Sequence, residues 1–156
     1  MADDIFHRIL HAAAEQARAI DDDRLEDWPA FFADPCLYKI TTAADFRDGM
    51  EAGLFFANSI GMLKDRVSAL REANIYEHQR YRHILGAPLI GPAGEGGTPS
   101  ETAFLVLRIM RDGTTDIFAS GKYLDRWRLA GAATRLAERI VVCDSARIDT
   151  LLALPL

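Results

Sequence analysis

Apolar residues recur at steps of three and four over residues 3 to 20, where Ile5, Ile9, Ala12, Ala13, Gln16 and Ile20 share one side, and this predicts an amphipathic helix. Asp3 or Asp4 is placed to cap it, with a charge that suits the positive end of the helix dipole. The run Asp21-Asp22-Asp23 should end it, read as solvated and poor in helix propensity. A shorter helix is predicted from about residue 24 to 32, with Leu25, Trp28, Phe31 and Phe32 on one side and Pro29 in its first turns. Asp34-Pro35 should then turn the chain, because the residue before a proline avoids the α region. A third helix is expected over about 59 to 73, its stripe formed by Met62, Leu63, Val67 and Leu70.

The remaining pattern has period two. Residues 36 to 42 read as a strand with Cys36, Tyr38 and Ile40 facing one way, while 43 to 57 stay ambiguous because two glycines interrupt a strongly apolar stretch. Four long strands should follow, over 81–90, 102–111, 115–128 and 134–144. Asp112-Gly113 is a strong hairpin signal, since both residues tolerate positive φ, and Leu129-Ala130-Gly131-Ala132 marks the next turn. Helices first and a strand meander behind them predict a single α+β domain over 1–156, a curved, mainly antiparallel sheet wrapping the helices.

Strict alternation assigns the faces. It sets Thr102, Phe104, Val106, Arg108 and Met110 against Ala103, Leu105, Leu107 and Ile109. It sets Ile117, Ala119, Gly121, Tyr123, Asp125 and Trp127 against Phe118, Ser120, Lys122, Leu124 and Arg126. In the last strand it groups Leu136, Glu138, Ile140 and Val142 against Ala137, Arg139, Val141 and Cys143. Both faces are apolar, so both should be covered, one by the chain's own helices and the other by a partner.

Composition narrows the chemistry. Of 156 residues, 49% are hydrophobic, and 18 Lys+Arg stand against 23 Asp+Glu, a net charge of -5 that argues against non-specific nucleic-acid binding. The acidic start Met1-Ala2-Asp3-Asp4 is unlike a secretory signal, and no run approaches the ~20 apolar residues of a membrane span, so a cytoplasmic protein is expected. Cys36 and Cys143 are too few and too far apart for a disulfide framework, a zinc site or an iron–sulfur cluster, and no histidine stands beside either.

Other motifs are thin. His7 and His11 have metal-ligand spacing, but Arg8-Ile9-Leu10 between them lacks the acidic residue of a zinc-protease motif, and two solvated helix-face histidines are the plainer reading. His78 and His83, five apart, would point to opposite faces of a strand. The glycine cluster Gly91 to Gly97 lacks a Gly-Lys-Ser/Thr ending and reads as a mobile surface loop. Ser120-Gly121 lies within a strand rather than at a nucleophile elbow.

What remains is charge inside strands. Asp125, Glu138, Tyr38 or His83 could line a pocket and do acid–base work, burial raising a carboxylate toward neutrality. Alternatively Arg82, Arg108, Lys122, Arg126 and Arg139 form desolvated ion pairs across a subunit interface. The plainest alternative pairs or solvates them all within the chain.

The stretches Met62 to Arg71, Arg80-Tyr81-Arg82-His83-Ile84, Phe118 to Arg126 and Leu136 to Asp144 resemble the small (β) subunits of Rieske aromatic-ring-hydroxylating dioxygenases. Within that family, Ala69 to Glu77, Arg80 to Gly86 and the tail Asp149 to Leu156 are most similar to the branch serving terephthalate dioxygenases. The resemblance implies a cone-shaped fold of the nuclear-transport-factor-2 (NTF2-like, cystatin-like) type and an α3β3 hexamer fed with electrons by a reductase. It implies that the α subunit carries the [2Fe-2S] Rieske cluster and the mononuclear Fe(II), and that β is structural, with no catalytic, cofactor or metal residue of its own. Arg82, Arg108, Tyr123, Arg126 and Arg139 are the expected interface residues, no nucleic acid or membrane being involved. Two rivals remain: a stand-alone isomerase or dehydratase using Asp125, His83 or Tyr38, and a small-ligand binding module without a reaction.

Overall fold

The computed structural model describes residues 1–50, 53–72, 79–145 and 155–156. The end of the third predicted helix, His78, and most of the 149–156 tail lie outside the described residues.

The first helix, α1 (Ala2–Asp21), buries the expected face, Ile9, Ala12, Ala13, Gln16 and Ile20. Its N-cap is Met1, without a side-chain cap, and Asp3 and Asp4 lie in the first turn instead. There they still complement the helix dipole. The acidic run does not end α1 as a solvated segment, because Asp21 closes the helix with only 3% exposure. A 3-10 helix (Leu25–Phe31) follows, with Pro29 inside it and Leu25 and Trp28 fully buried.

The chain then enters β1 (Phe32–Thr42), so Asp34-Pro35 is no turn between elements but a cis peptide within a strand, at a break in register between Phe32 and Leu37. Thr42 caps the short α2 (Ala43–Arg47), its hydroxyl accepting from the Asp45 amide. The ambiguous stretch thus resolves into α2 and a three-residue strand, β2 (Phe55–Ala57). The third helix, α3 (Ile60–Glu72), buries Leu63, Val67 and Leu70, while Met62 stays exposed.

The rest is strand: β3 (Gln79–Leu85), β4 (Leu89–Ile90), β5 (Thr98–Met110), β6 (Thr115–Ala130) and β7 (Ala133–Cys143). Among the described residues the sheet has seven strands in the order β2-β1-β7-β6-β5-β3, with β4 also on β5. Every pairing is antiparallel except β1 with β7.

The two hairpin turns stand where expected. Gly113 takes φ +90° and the Asp112 carboxylate accepts the Thr114 amide, while Gly131 takes φ +57° between β6 and β7. The glycine cluster closes into a tight turn. Gly94 and Gly97 exchange backbone hydrogen bonds, and Gly97, at φ +111°, lies so close to the Trp127 backbone that a Cβ would not fit.

Alternation fails at two bulges, each inserting one residue that flips the strand. Phe118 is extra opposite Val106 and Leu107, so Phe118 turns into the core and Ile117 is 69% exposed, the reverse of strict alternation. Ala137 is extra opposite Arg126 and Trp127, which moves Leu136 to the buried side with Arg139, Val141 and Cys143. The core between sheet and helices is aromatic: Trp28, Phe32 and Tyr38 meet edge to face at 5.2 to 5.8 Å, and Phe104 stacks on Tyr123 at 4.5 Å.

Candidate subunit interface

The inner face of the sheet pairs several of its polar groups, while the His83 Nε2 and the Gln16 amide are buried without a hydrogen-bond partner among the described residues. Asp125 on β6 faces Arg139 on β7, and the guanidinium donates two hydrogen bonds of 2.8 Å, one to each carboxylate oxygen. The same guanidinium lies 3.9 Å from the Tyr123 ring centre, a cation–π contact in a desolvated site. Burial pulls the Arg139 pKa down, but the Asp125 charge and hydrogen bonds outweigh it and hold the guanidinium charged. The Tyr38 hydroxyl donates to the Leu156 carbonyl at 2.8 Å, and burial pushes the phenols of Tyr38 and Tyr123 above their usual range.

His83 on β3 is held by the end of α1. Its Nδ1 donates to Asp21 Oδ1 at 2.6 Å and its backbone N–H to Asp21 Oδ2 at 2.8 Å. Sequence reasoning missed Asp21 altogether, because nothing in a three-aspartate run marks which member is buried. Glu138 lies on the opposite face, 4.0 Å from Arg126. Of the four acid–base candidates, Asp125 and Tyr38 flank Arg139 on the inner face but bond to different partners, Arg139 and the Leu156 carbonyl; His83 bonds Asp21, and Glu138 faces outward.

The outer face is different. Leu105, Leu107, Leu124 and Ile140 are only half buried, and Ile84 and Leu89 are 51% and 72% exposed. Leu124 pairs with Ile140 and Ile84 with Leu105, so these side chains adjoin across strands. Partly exposed apolar side chains gathered on one sheet face are a usual mark of a surface that meets another protein. Lys122 with Glu101 at 2.8 Å, and Arg126 with Glu138, lie on the same face.

The five expected interface residues divide accordingly. Arg82 and Arg126 stand on the outer face with half-exposed side chains, Arg82 3.9 Å from Asp21. Arg108 lies at the rim of the inner face, 3.5 Å from Asp116 and over the Phe118 ring at 5.1 Å. Tyr123 and Arg139, at 1% and 3% exposure, lie inside and have no surface to offer a partner, which corrects the expectation for those two. A charged residue in an apolar strand is as well satisfied by a neighbouring strand as by another chain, and the Ala137 bulge decided for the former.

The described residues contain no group of three or more His, Cys, Asp and Glu able to hold a metal ion. His7 Nδ1 meets the Asp3 carbonyl and His11 pairs with Glu15, both on the exposed side of α1. The Ser120 hydroxyl donates to Asp144 at 3.0 Å. Cys36 and Cys143 are free, buried thiols, and burial pushes Cys143 up to about 12. No helix among the described residues is long and apolar enough to cross a membrane.

Comparison with known proteins places the chain in a family. A family model described as the ring hydroxylating beta subunit matches residues 15–150. The chain is 50% identical over 143 residues to the beta 1 subunit of the terminal oxygenase component of a Comamonas terephthalate 1,2-dioxygenase, covering 92% of this chain and 93% of that one. Among solved structures it superposes with TM-score 0.91 and 37% identity, over 99% of both chains, on a Novosphingobium aromaticivorans protein described as the beta subunit of an aromatic-ring-hydroxylating dioxygenase. From the same organism, a protein described as a scytalone dehydratase shares the fold alone, at TM-score 0.69 and 14% identity, over 93% of this chain and 89% of that one.

Proposed function

The chain belongs to the family of ring-hydroxylating dioxygenase beta subunits, and on that premise we propose that it is the non-catalytic subunit of a terephthalate 1,2-dioxygenase, a Rieske non-haem iron enzyme that cis-dihydroxylates an aromatic carboxylate. The observation that carries this reading is the outer sheet face. Ile84 pairs with Leu105 and Leu124 with Ile140 there, two apolar patches on either side of Ala103 and Lys122 on a face that no helix among the described residues is seen to fill.

In this reading the whole chain acts as one domain and works in the cytoplasm. It joins an α subunit in an α3β3 hexamer, and the α subunit carries the Rieske [2Fe-2S] cluster and the mononuclear iron, reduced by a separate reductase. The chemistry of this chain's own residues agrees with a scaffold role. The stand-alone isomerase or dehydratase reading needs a free acid and a free base facing one cavity, whereas Asp125 and Tyr38 are engaged elsewhere.

Coexpression with a candidate α subunit tests it. A brown complex with the mass of a hexamer is the expected product, and the isolated chain should be colourless and without turnover. Recovery of this chain alone, beside an α subunit fully active without it, overturns the proposal.

A further inference from the structure

The His83 ring is satisfied on one side only. Its Nδ1 proton goes to Asp21 Oδ1 at 2.6 Å, so in the neutral ring Nε2 is an acceptor, and it meets no donor among the described residues. Gln16, 1% exposed on the buried side of α1, leaves both amide atoms unpaired as well. Buried side-chain polar atoms are normally hydrogen-bonded, so each of these calls for a partner from outside the chain's own groups.

A groove lies beside them. Between α1 and β3 it encloses about 310 Å³, lined on the helix by Ala13, Ala14 and Ala17 and on the sheet by His83, Leu85 and Thr102. Gln16 stands next to Ala17 and one turn from Ala13, on the same buried side of the helix. Trp28 Nε1, Thr41 Oγ1 and Gln79 Oε1 are also buried and unpaired, but none of those residues lines this groove. Its volume falls at the lower end of small-molecule sites, which start at about 300 Å³.

The surrounding chemistry selects the ligand. A ligand for Nε2 must bring an O–H or N–H donor, the Asp21 carboxylate behind the ring disfavours an anion, and walls of alanine and leucine disfavour any ion drawn out of water. We propose that this groove leads to a binding site for a small neutral phenol, whose hydroxyl donates to His83 Nε2 and whose ring lies against Ala13, Ala17 and Leu85. The Gln16 amide is the second polar partner. Asp21 is a positioning residue, fixing the imidazole through one oxygen on Nδ1 and the other on the His83 backbone N–H. The His83 side chain is 1% exposed, so the new hydrogen bond forms away from water, where it is stronger. The site belongs to this chain alone and does not rest on the subunit reading.

The test titrates the full chain with phenol and with toluene, which has the same size and no hydroxyl. Phenol should raise the melting temperature saturably and bind at least tenfold tighter than toluene. In nitrogen-15 spectra the His83 Nε2 resonance should move with phenol, while those of the exposed His7 and His11 stay in place. Gln16→Leu and His83→Phe should each weaken phenol at least tenfold, and Ile117→Ser, at an exposed apolar position elsewhere, should stay within twofold. If His83→Phe does not fold for want of its Asp21 bond, Gln16→Leu and the His83 resonance decide. Equal binding of phenol and toluene marks a merely apolar cleft and overturns the proposal. A motionless His83 resonance, or phenol affinity in Gln16→Leu within twofold of the unsubstituted chain, overturns it too.

Discussion

Asp125 and Arg139 face each other across β6 and β7 only because one residue, Ala137, is inserted into β7. Continued back from Ala130 opposite Ala133, an unbroken register would set Asp125 against Glu138, two carboxylates in the core. The bulge replaces that repulsion with two hydrogen bonds of 2.8 Å.

Removing one member should expose what the pair conceals. Asp125→Ala leaves a buried guanidinium uncompensated and should cost about 3 to 5 kcal/mol in urea denaturation. The double variant Asp125→Leu/Arg139→Met replaces both charges with apolar groups and should recover most of that loss. A double variant no more stable than the single one would refute this account.

Tyr38→Phe deletes one hydroxyl and keeps the ring contacts with Trp28, Phe32 and Phe55. The Leu156 carbonyl then loses its buried donor, and the expected cost is about 1 to 3 kcal/mol. Thermal unfolding of the variant beside the unsubstituted chain reads it, and an unchanged midpoint contradicts it.

Glu26 predicts an acid-sensitive clamp between the 3-10 helix and α3. Hydrogen bonds from Arg71 lower its pKa from 4.5 to about 2. A folded pKa below the unfolded one gives stability that is complete above pH 4.5 and lost as pH falls toward 2. Because the side chain is 63% exposed, solvent screening limits this to about 1 kcal/mol or less. Glu26→Gln should flatten the stability profile in that window and leave it unchanged in shape near neutrality.

The thiols offer a chemical check. Cys143 is 1% exposed with its pKa pushed up to about 12, and burial raises Cys36 as well. Neither presents a thiolate at neutral pH, so iodoacetamide should leave both unmodified in the native chain and label both in urea. Rapid native labelling of Cys143 would show the core around it to be open.

The elements were legible where local chemistry fixes them: the periodic face of α1, the Asp112-Gly113 turn, the strand meander. The faces were not legible beyond Phe118 and Ala137, because a bulge carries no distinctive residue type and yet reverses every side chain after it. Asp34-Pro35 was read as a turn because proline usually ends regular structure, whereas here it sits at an irregularity inside β1. Of the expected interface, Arg82 and Arg126 reach the outer face. Tyr123 and Arg139 do not, since period two shows that two residues share a face but not which face is the core.

The pairing of β1 with β7 sets the order in which this sheet can form. β5, β6 and β7 are joined by tight turns and can zip locally, but Tyr38 meets Arg139 about 100 residues further along the chain. Closing such a loop costs about 4 kcal/mol before any contact offsets it. Folding should therefore nucleate in the meander and add β1 late, with φ values high in β6 and near zero in β1, and high values in β1 would reverse that order.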